Sequence, residues 1–506
     1  MAQTPTSPDS LLASSPPDRA TGLRALRDAH PQLAAHLARG VEPAKALRHF
    51  GLTAWSRDEP ALAVEALKAA VALAPEDAAI WADLSGAHYA CAQLNDARAC
   101  LGRSLALDDD APARWLSFAA LHRAAKADAD AEAAFQEAIR RDPGLHDAWV
   151  GLGILLFQQR RLPQAVAALR EAIRLGSRNV AVHACLGESL YLQGDVAGAA
   201  EAYAAQVASG PAEATVLRKY AFLRFLATAI AAPLAAALEA YRAAAGALAE
   251  DEQTVIDNGF HALSGYGYRE AALRCGRARL ARAPDDPVPR YLVDALEGAP
   301  VARAPEAYLV RYFDGFAESF DRKLVEVLGY RIPQEMRDAL AAVGGSFHSV
   351  LDAGCGTGLV GALLAAPRRR LTGVDLSPGM LAKAAARGVY DRLVEAEIHA
   401  FLETAEESFD LIVAADVLVY IGDLAPLMAG AARRLVPGGV LCFSVETTEA
   451  ADFWLHASGR FAHRPAYLET VARGLFSIER SVETQIRLDA LAPAMGRLVV
   501  MRRLGS

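Results

Sequence analysis

Cysteine is scarce in this sequence of 506 residues, and the few cysteines are scattered. No two of them form a C-x-x-C pair, and none is spaced with histidine as zinc ligands are. The six cysteines lie at positions 91, 100, 185, 275, 355 and 442. This distribution argues against a disulfide-stapled secreted domain and indicates no metal site, so we expect a reduced, cytoplasmic protein without structural zinc.

The sequence also lacks an excess of positive charge, a long apolar run and a signal peptide. Its formal net charge is −8, whereas nucleic-acid binding needs a basic field. The alanine-rich run Ala229–Ala237 is too short to span a bilayer. Residues 1–22 are rich in Pro, Ser and Asp and lack the basic start and apolar core of a signal peptide, so we predict a disordered tail there. Neither a nucleic-acid partner nor a membrane partner is expected.

A period of 34 residues runs through the N-terminal half. Large, small and apolar positions all keep this step. The three series are Trp81, Trp115, Trp149 and His183; Ala63, Ala97, Ala131, Ala165 and Ala199; and Leu67, Leu101, Phe135, Leu169 and Tyr203. Prolines at 75, 143 and 211 end helices in the same register. This pattern is typical of tetratricopeptide repeats, and three series in one step disfavour a plain helical bundle.

We predict a helical repeat domain over residues 23–296. The repeats are clear over about 43–211 and degenerate over 212–296, where Ala272 and Pro284 keep the offset of the earlier repeats. Such repeats stack into a solenoid whose concave face usually binds a protein or peptide. Residues 297–305 have the composition of a linker.

A strand, a tight turn and the start of a helix are predicted around Val350–Gly358. An apolar run ends in Asp352, and glycines 354, 356 and 358 then alternate. Such glycines let the backbone turn and bring main-chain N–H groups close to a ligand. Asp375 ends the next apolar strand, where a carboxylate suits a grip on ribose hydroxyls. The two strands therefore predict a nucleoside-binding site in an α/β fold.

Two kinds of nucleoside cofactor fit such a loop. Gly356–Gly361 formally matches the G-x-G-x-x-G fingerprint of dinucleotide sites. In a dinucleotide site, however, Asp352 would repel the pyrophosphate at the helix N-terminus. S-adenosylmethionine has no phosphate, and its cationic sulfonium and ammonium groups suit a carboxylate at the strand end. The charge of Asp352 therefore favours S-adenosylmethionine over NAD(P).

The pattern D-x-G-x-G-x-G followed by D-x-S resembles class I S-adenosylmethionine-dependent methyltransferases. Three later segments support the resemblance: a fourth strand from Phe409, a turn over Arg433–Gly439 before a fifth strand, and a closing antiparallel pair. The resemblance covers residues 305–506 and implies a Rossmann-like parallel sheet. With the repeats before it, the whole chain resembles bacterial methyltransferases that contain tetratricopeptide repeats.

The resemblance implies a set of cofactor-binding residues. They are Phe320, Asp352, Gly354, Cys355, Gly356, Gly358, Asp375, Leu376, Met380, Glu397, Ile398, Asp416 and Val417. Some have a second interpretation. Asp375 suits a helix cap as well as the ribose, Met380 suits the core as well as the adenine, and Glu397 suits the surface. Phe320 stands where many relatives have Tyr, which leaves apolar cover in place of a phenol contact.

The acceptor side is predicted from the segment Phe453–Tyr467, which is dense in aromatic residues, arginine and histidine. This segment leaves the fifth strand at its carboxyl end, where ligands of open α/β sheets bind. It is predicted to form a lid over the acceptor; the alternative is a helix that docks Trp454 and Phe461 into the core. Candidates for the acceptor side are Tyr420, Arg460, His463 and Tyr467, with Arg460 expected to hold an anionic group and His463 or Tyr467 to lie near the methylated atom. No catalytic residue is assigned.

The sequence therefore predicts methyl transfer from S-adenosylmethionine to an unidentified small molecule or protein, with the repeats recruiting a partner or substrate. One alternative is a repeat scaffold whose cofactor domain is catalytically idle. The other is an NAD(P)-dependent oxidoreductase, which Asp352 opposes.

Overall fold

A computed structural model describes residues 16–318, 320–322, 324, 329–365, 369–489 and 492–505. The chain divides into two compact units, one ending at Leu223 and the other beginning at Arg224. The predicted linker at 297–305 thus lies inside the second unit, and the last predicted repeat-type helices belong to the unit that holds the sheet. Within the described part of the chain, none of the helices combines the length and apolarity needed to cross a bilayer.

The first unit is built from helix pairs. Its helices are α1 Pro16–Ala29, α2 Pro31–Ala38, α3 Pro43–Ser56, α4 Pro60–Leu73, α5 Ala78–Ala90, α6 Leu94–Leu107, α7 Pro112–Ala124, α8 Asp128–Arg141, α9 His146–Gln158, α10 Leu162–Arg174, α11 Val180–Leu192, α12 Val196–Ala208 and α13 Ala214–Ala231, which continues into the second unit. Helix α1 begins at Pro16, inside the segment 1–22 that was predicted as a disordered tail. Residues 1–15 lie outside the described range.

The 34-residue period has a direct structural cause. The indole Nε1–H of Trp81 donates to the Pro75 carbonyl at 2.8 Å, and Trp115 and Trp149 make the same bond to the carbonyl six residues before them. Each indole therefore ties the first helix of a pair to the turn that precedes it. All five alanines of the small series are fully buried. Their short side chains let the two helices of a pair pack closely.

The turn between the helices of a pair repeats as well. Asp58, Ala92, Lys126 and Arg160 have φ between 57° and 63°, and Gly194 follows at 83°. These residues lie 34 positions apart, so each pair turns through one left-handed residue. Only the last of the five is glycine, and the others carry the steric cost of that conformation.

The second unit begins with further helices. They are the end of α13, α14 Leu234–Ala245, α15 Glu252–Gly265, α16 Arg269–Arg282, α17 Pro287–Glu297, α18 Glu306–Phe316 and α19 Ile332–Val343. Helix α15 lies against α13 at Gly259, where an added Cβ would come within 2.3 Å of the Phe225 ring. The end of α13 therefore packs with the helices that follow it.

The remainder alternates strands and helices. The strands are β1 Ser349–Ala353, β2 Arg370–Asp375, β3 Arg392–Glu395, β4 Phe409–Ala414, β5 Leu435–Thr447, β6 Phe453–Leu455, β7 Phe461–His463, β8 Phe476–Asp489 and β9 Ala492–Arg503, and the helices are α20 Leu359–Leu364, α21 Pro378–Arg387, α22 Ile398–Thr404, α23 Ala425–Arg434 and α24 Pro465–Ala472. The strand order is β3-β2-β1-β4-β5-β7-β6, with β9 antiparallel to β5 and β8. The predicted doubly wound sheet and closing pair are confirmed.

Buried side chains alternate between the two faces of the sheet. In β1, Val350 faces the cluster that includes α19, whereas Leu351 faces the cluster that includes α22 and α23. The same alternation in β4 and β5 buries both faces, as a parallel sheet requires. The predicted turn over Arg433–Gly439 is corrected in part: β5 already starts at Leu435, opposite Phe409, and its register shifts before Val440.

Candidate active site

One cavity of about 220 Å³ opens beyond the carboxyl ends of β1, β2 and β4. Most of the predicted cofactor residues line it: Phe320, Gly354, Cys355, Gly356, Asp375, Leu376, Met380, Glu397, Ile398, Asp416 and Val417. Tyr420 and Arg460 line it too. The cavity therefore lies where the strand order reverses between β1 and β4, the usual ligand position in such sheets.

The glycine loop has the left-handed geometry that its sequence predicts. Gly354, Gly356 and Gly358 have φ of 73°, 52° and 87°. A Cβ on Gly354 would come within 2.4 Å of Val417, whereas nothing lies within 4 Å of a Cβ on Gly356. The loop therefore packs tightly at Gly354 and leaves open space for a ligand at Gly356. Gly358 packs instead against Tyr390 and does not line the cavity.

Asp375 connects the loop to the next helix. One carboxylate oxygen accepts the Gly356 N–H at 2.8 Å and the other accepts the Ser377 N–H at 2.9 Å. Burial raises the pKa of Asp375, and these backbone hydrogen bonds oppose the rise. Ser377 caps α21 with its own hydroxyl, so the capping role lies beside Asp375 and not on it. Asp375 also lines the cavity.

Asp352 does not line the cavity, which corrects the predicted contact with a cationic ligand. Its side chain is 1% exposed and lies beneath the loop, where Oδ2 accepts the Tyr390 hydroxyl at 2.7 Å. Its other oxygen has no hydrogen-bond partner among the described residues. Burial raises the pKa of Asp352 to about 7, against the opposing hydrogen bond from Tyr390. The sequence analysis missed Tyr390, because no motif marks it.

Helix α18 and the turn after it cover the loop and α21. The Ser377 hydroxyl donates to Asp314 Oδ1 at 2.5 Å, and the Gly379 N–H donates to the same oxygen at 3.1 Å. The Thr357 hydroxyl donates to Asp321, which also pairs with Arg387. These two carboxylates hold the covering segment on the cofactor side. The Phe320 ring next to Asp321 lines the cavity as apolar cover.

The residues predicted for the adenine lie together at the start of α21 and α22. Met380 is 1% exposed, so it belongs to the core and also reaches the cavity wall. Glu397 accepts the Ala400 N–H at 2.9 Å and thereby caps α22. Glu397 also lines the cavity, so capping α22 is not its only contact. Leu376 and Ile398 complete this apolar wall.

The loop after β4 carries a strained residue beside a buried ion cluster. Asp416 has φ of 57°, and its N–H donates to the Ser444 hydroxyl at 2.8 Å. Arg487 is 2% exposed and lies between Asp416 at 3.5 Å and Glu446 at 2.5 Å. The sequence analysis missed Arg487, which comes from the long strand β8. The cluster fixes the Asp416 side chain at the cavity wall.

Two of the four acceptor-side candidates face the cavity. Tyr420 is 7% exposed, and its hydroxyl accepts the Arg460 Nε–H at 3.4 Å. Burial raises the pKa of Tyr420. The rings of Phe313 and Tyr420 meet edge to face at 5.5 Å. The aromatic residues of α18 were therefore missed as part of the acceptor side.

The other two candidates, His463 and Tyr467, are structural residues and do not line the cavity. The His463 Nε2 lies 2.9 Å from the Ile421 carbonyl, and burial lowers its pKa to about 4. The Tyr467 hydroxyl donates to Asp423 and accepts the Leu424 N–H, both at 2.9 Å. Both side chains fix the loop after β4 and cannot reach an acceptor in the cavity.

The predicted lid segment forms a β-hairpin. Strands β6 and β7 pair antiparallel, and β7 pairs in parallel with β5 at Glu446 and Thr447. Phe461 is fully buried, whereas Trp454 is 43% exposed. The alternative of a helix that docks both rings into the core is therefore wrong. Arg460, at the end of the hairpin turn, lines the cavity. No group of metal-ligating side chains occurs in the described ranges.

Comparison with known proteins identifies both parts of the chain. Residues 351–443 match the family model of a methyltransferase domain, and residues 54–121 match that of a tetratricopeptide repeat. The chain thus carries a methyltransferase domain behind tetratricopeptide repeats. This confirms the predicted organisation of tetratricopeptide repeats followed by a methyltransferase domain.

Several characterised or solved proteins are similar to the C-terminal part. Methyltransferase-like protein 27 of Homo sapiens is 35% identical over 28% of this chain and 60% of its own length. Trans-aconitate 2-methyltransferase of Methylobacterium radiotolerans is 35% identical over 30% of this chain and 59% of its own length. The N-methyltransferase NodS of Bradyrhizobium japonicum, solved with S-adenosylhomocysteine, is 21% identical over 38% of this chain and 97% of that chain, with a TM-score of 0.32. The chain spans about 60% of the length of these two curated relatives.

Proposed function

We propose that this chain transfers a methyl group from S-adenosylmethionine to an acceptor that enters beside Tyr420 and Arg460, and that its repeats recruit a protein or peptide. The supporting observation is the single cavity that joins the glycine loop, Asp375 and the loop after β4 to these two side chains. The rival hypothesis is a repeat scaffold whose methyltransferase domain is catalytically idle.

The residues present fit S-adenosylmethionine. Open space at Gly356 admits the nucleoside close to the backbone, and the Asp375 carboxylate lies beside that space. Leu376, Met380 and Ile398 supply an apolar wall for the adenine. Asp416 also lines the cavity, where its carboxylate would stabilise the cationic sulfonium of the bound cofactor.

The chain's contribution to catalysis is positioning and exclusion of water. When bound, S-adenosylmethionine supplies an electrophilic methyl group. The covering helix α18 and Phe320 shield the site, and the Arg487 cluster keeps Asp416 in one place. Holding the acceptor in line with the methyl group accounts for much of the rate gain in such displacements.

The repeats support a recruiting role because their helix pairs recur with the same local geometry. The pairs use the same indole bond and the same turn over at least three repeats. A stack of this kind presents a continuous surface for a protein or peptide. This role accompanies the methyl transfer and does not replace it.

Calorimetry and a transfer assay test the proposal together. The purified full chain should bind S-adenosylhomocysteine and should not bind NAD. It should also transfer label from methyl-labelled S-adenosylmethionine to a small-molecule or protein fraction of a cell extract. Binding of NAD, or no binding of S-adenosylhomocysteine, would overturn the cofactor assignment. Tight cofactor binding without transfer to any fraction would favour the idle scaffold.

A further inference from the structure

Arg460 brings a positive charge to the cavity without a salt bridge of its own among the described residues. Its hydrogen bond is the 3.4 Å contact with the Tyr420 hydroxyl. Asp416 attracts it from a greater distance and is itself paired with Arg487. The other inward arginine differs, because Arg487 lies between two carboxylates. Since a half-buried guanidinium without an anion is unfavourable, Arg460 is poised to receive one from the cavity.

The position of Arg460 is fixed by a clamp on the hairpin turn. The Tyr291 hydroxyl of α17 donates to the Gly459 carbonyl at 2.8 Å, and the Ser264 hydroxyl of α15 donates to the Ala457 carbonyl at 3.2 Å. Gly459 has φ of 77°, and an added Cβ would come within 3.0 Å of the Tyr308 hydroxyl. The turn therefore has one conformation, which presents the arginine to the site.

The surroundings of Arg460 are aromatic. Tyr312, Phe313, Phe316 and Tyr420 line the cavity and form a chain of ring contacts. Among the described residues of the cavity wall there is no histidine and no lysine. Burial raises the pKa of the Tyr420 phenol, so it holds its proton at neutral pH. The site thus suits an acceptor with an apolar body that is already ionised when it binds.

We infer that the acceptor is a carboxylic acid with an apolar body, held by Arg460 and methylated on its carboxylate. This inference rests on the proposed methyl transfer. One carboxylate oxygen forms a bond to the methyl carbon while the carbon–sulfur bond breaks and leaves its electron pair on sulfur. The products are a methyl ester and S-adenosylhomocysteine. No proton has to leave the acceptor, so the step needs no general base.

The alkali lability of the product tests the inference, because methyl esters release methanol in mild base whereas N-methyl, S-methyl and aryl ether groups do not. The full chain is incubated with methyl-labelled S-adenosylmethionine and a small-molecule extract of the source cells. We expect most of the transferred label to become volatile after alkali. Label that withstands alkali would contradict the inference, whereas no labelled product at all from a protein that binds S-adenosylhomocysteine would overturn the proposed methyl transfer.

The Arg460→Gln variant should lose about tenfold to hundredfold in turnover of the acid, the size of a lost charge-assisted hydrogen bond. Arg460→Lys should retain part of it. Arg464→Gln is the matched control, because Arg464 lies on the same segment but pairs outside the cavity with Asp452. Affinity for S-adenosylhomocysteine should stay within about twofold in all three, since no cofactor contact is removed. A tenfold weaker affinity in Arg460→Gln would instead assign this arginine to the cofactor's own carboxylate.

Discussion

Asp352 and Asp375 end neighbouring parallel strands, but their surroundings give them different chemistry. Asp375 borders the cavity and receives two backbone N–H groups, which oppose the rise in its pKa that burial causes. Asp352 has a single phenol partner and almost no solvent contact. Asp375 is thus suited to bind a ligand, whereas Asp352 supports the glycine loop from beneath.

Replacing Asp375 by alanine should weaken binding of S-adenosylhomocysteine by about 1–3 kcal/mol, because buried ribose hydroxyls would lose an acceptor. Calorimetry measures the change. Glu395→Ala is the control, since Glu395 lies opposite Asp375 on β3 but is exposed. Equal affinities for wild type and the Asp375 variant would remove this carboxylate from the cofactor site.

Asp352 should make stability depend on pH. Its pKa is near 4 when unfolded and about 7 when folded, so the folded state binds the proton more tightly. This contribution is fully present below about pH 4 and is lost as pH rises towards about 7. Urea unfolding of wild type and Asp352→Asn at pH 5 and pH 8 measures it. The variant should show a smaller fall in stability over this range, and identical falls would refute the assignment.

At this scale the sequence predicted the ligand-facing residues well and the supporting residues poorly. The glycine loop and Asp375 follow from local pattern, because strand, turn and acid are adjacent in the chain. Tyr390 and Arg487 reach the site from distant elements, and nothing local marks them. His463 was wrongly predicted to face the acceptor, because histidine often acts as a base. Its ring is buried and lies against backbone carbonyls instead.

Among elements, the turns of the helix pairs offer a clear stability test. Ala92 is exposed and has φ of 58°, which costs a residue with a Cβ about 1–2 kcal/mol. Ala92→Gly should raise the free energy of unfolding by about 0.5–1 kcal/mol, after the greater chain entropy of glycine is subtracted. Chemical denaturation reports the change. Ala133→Gly, at an exposed site inside α8, should instead lower it by about 1 kcal/mol.

The clamp on the hairpin turn gives a second test at this scale. Tyr291→Phe removes one hydrogen bond to the Gly459 carbonyl, which contributes about 0.5–1.5 kcal/mol. Amide exchange at His456 and Gly459, whose N–H groups close the turn, should become faster. Exchange in β1 should not change, and Tyr89→Phe at an exposed site should change neither. Unaltered exchange at the turn would show that Tyr291 does not hold it.

The elements that the sequence predicted are those with a strong period. The helix pairs keep a step of 34, and strands β1, β2 and β4 are rich in apolar residues. Strands β6 and β7 have three residues each, too few to show alternation, so the segment was predicted only as a lid or a helix. Only tertiary packing places the extended backbone there against β5.

For the whole molecule, the division between the compact units predicts which fragment is stable. A fragment of residues 212–506 keeps α13 and the α15–α17 helices that hold the hairpin turn. A fragment of residues 305–506 lacks Tyr291 and Ser264 and exposes the apolar surface around Tyr308. Both should bind S-adenosylhomocysteine, but the shorter one should melt at a lower temperature in calorimetric scans. Equal melting temperatures would show that the linker at 297–305 separates independent domains.

The hydrogen bonds from α15 and α17 to the turn at Ala457 and Gly459 also restrict where this chain could recombine with another protein. A chimaera joined at the linker would pair the methyltransferase domain with foreign helices and leave the arginine at position 460 unsupported. A crossover before Ala214 would carry the supporting helices along with the site that they shape. Inheritance of substrate preference should therefore follow the terminal helices as closely as it follows the glycine loop.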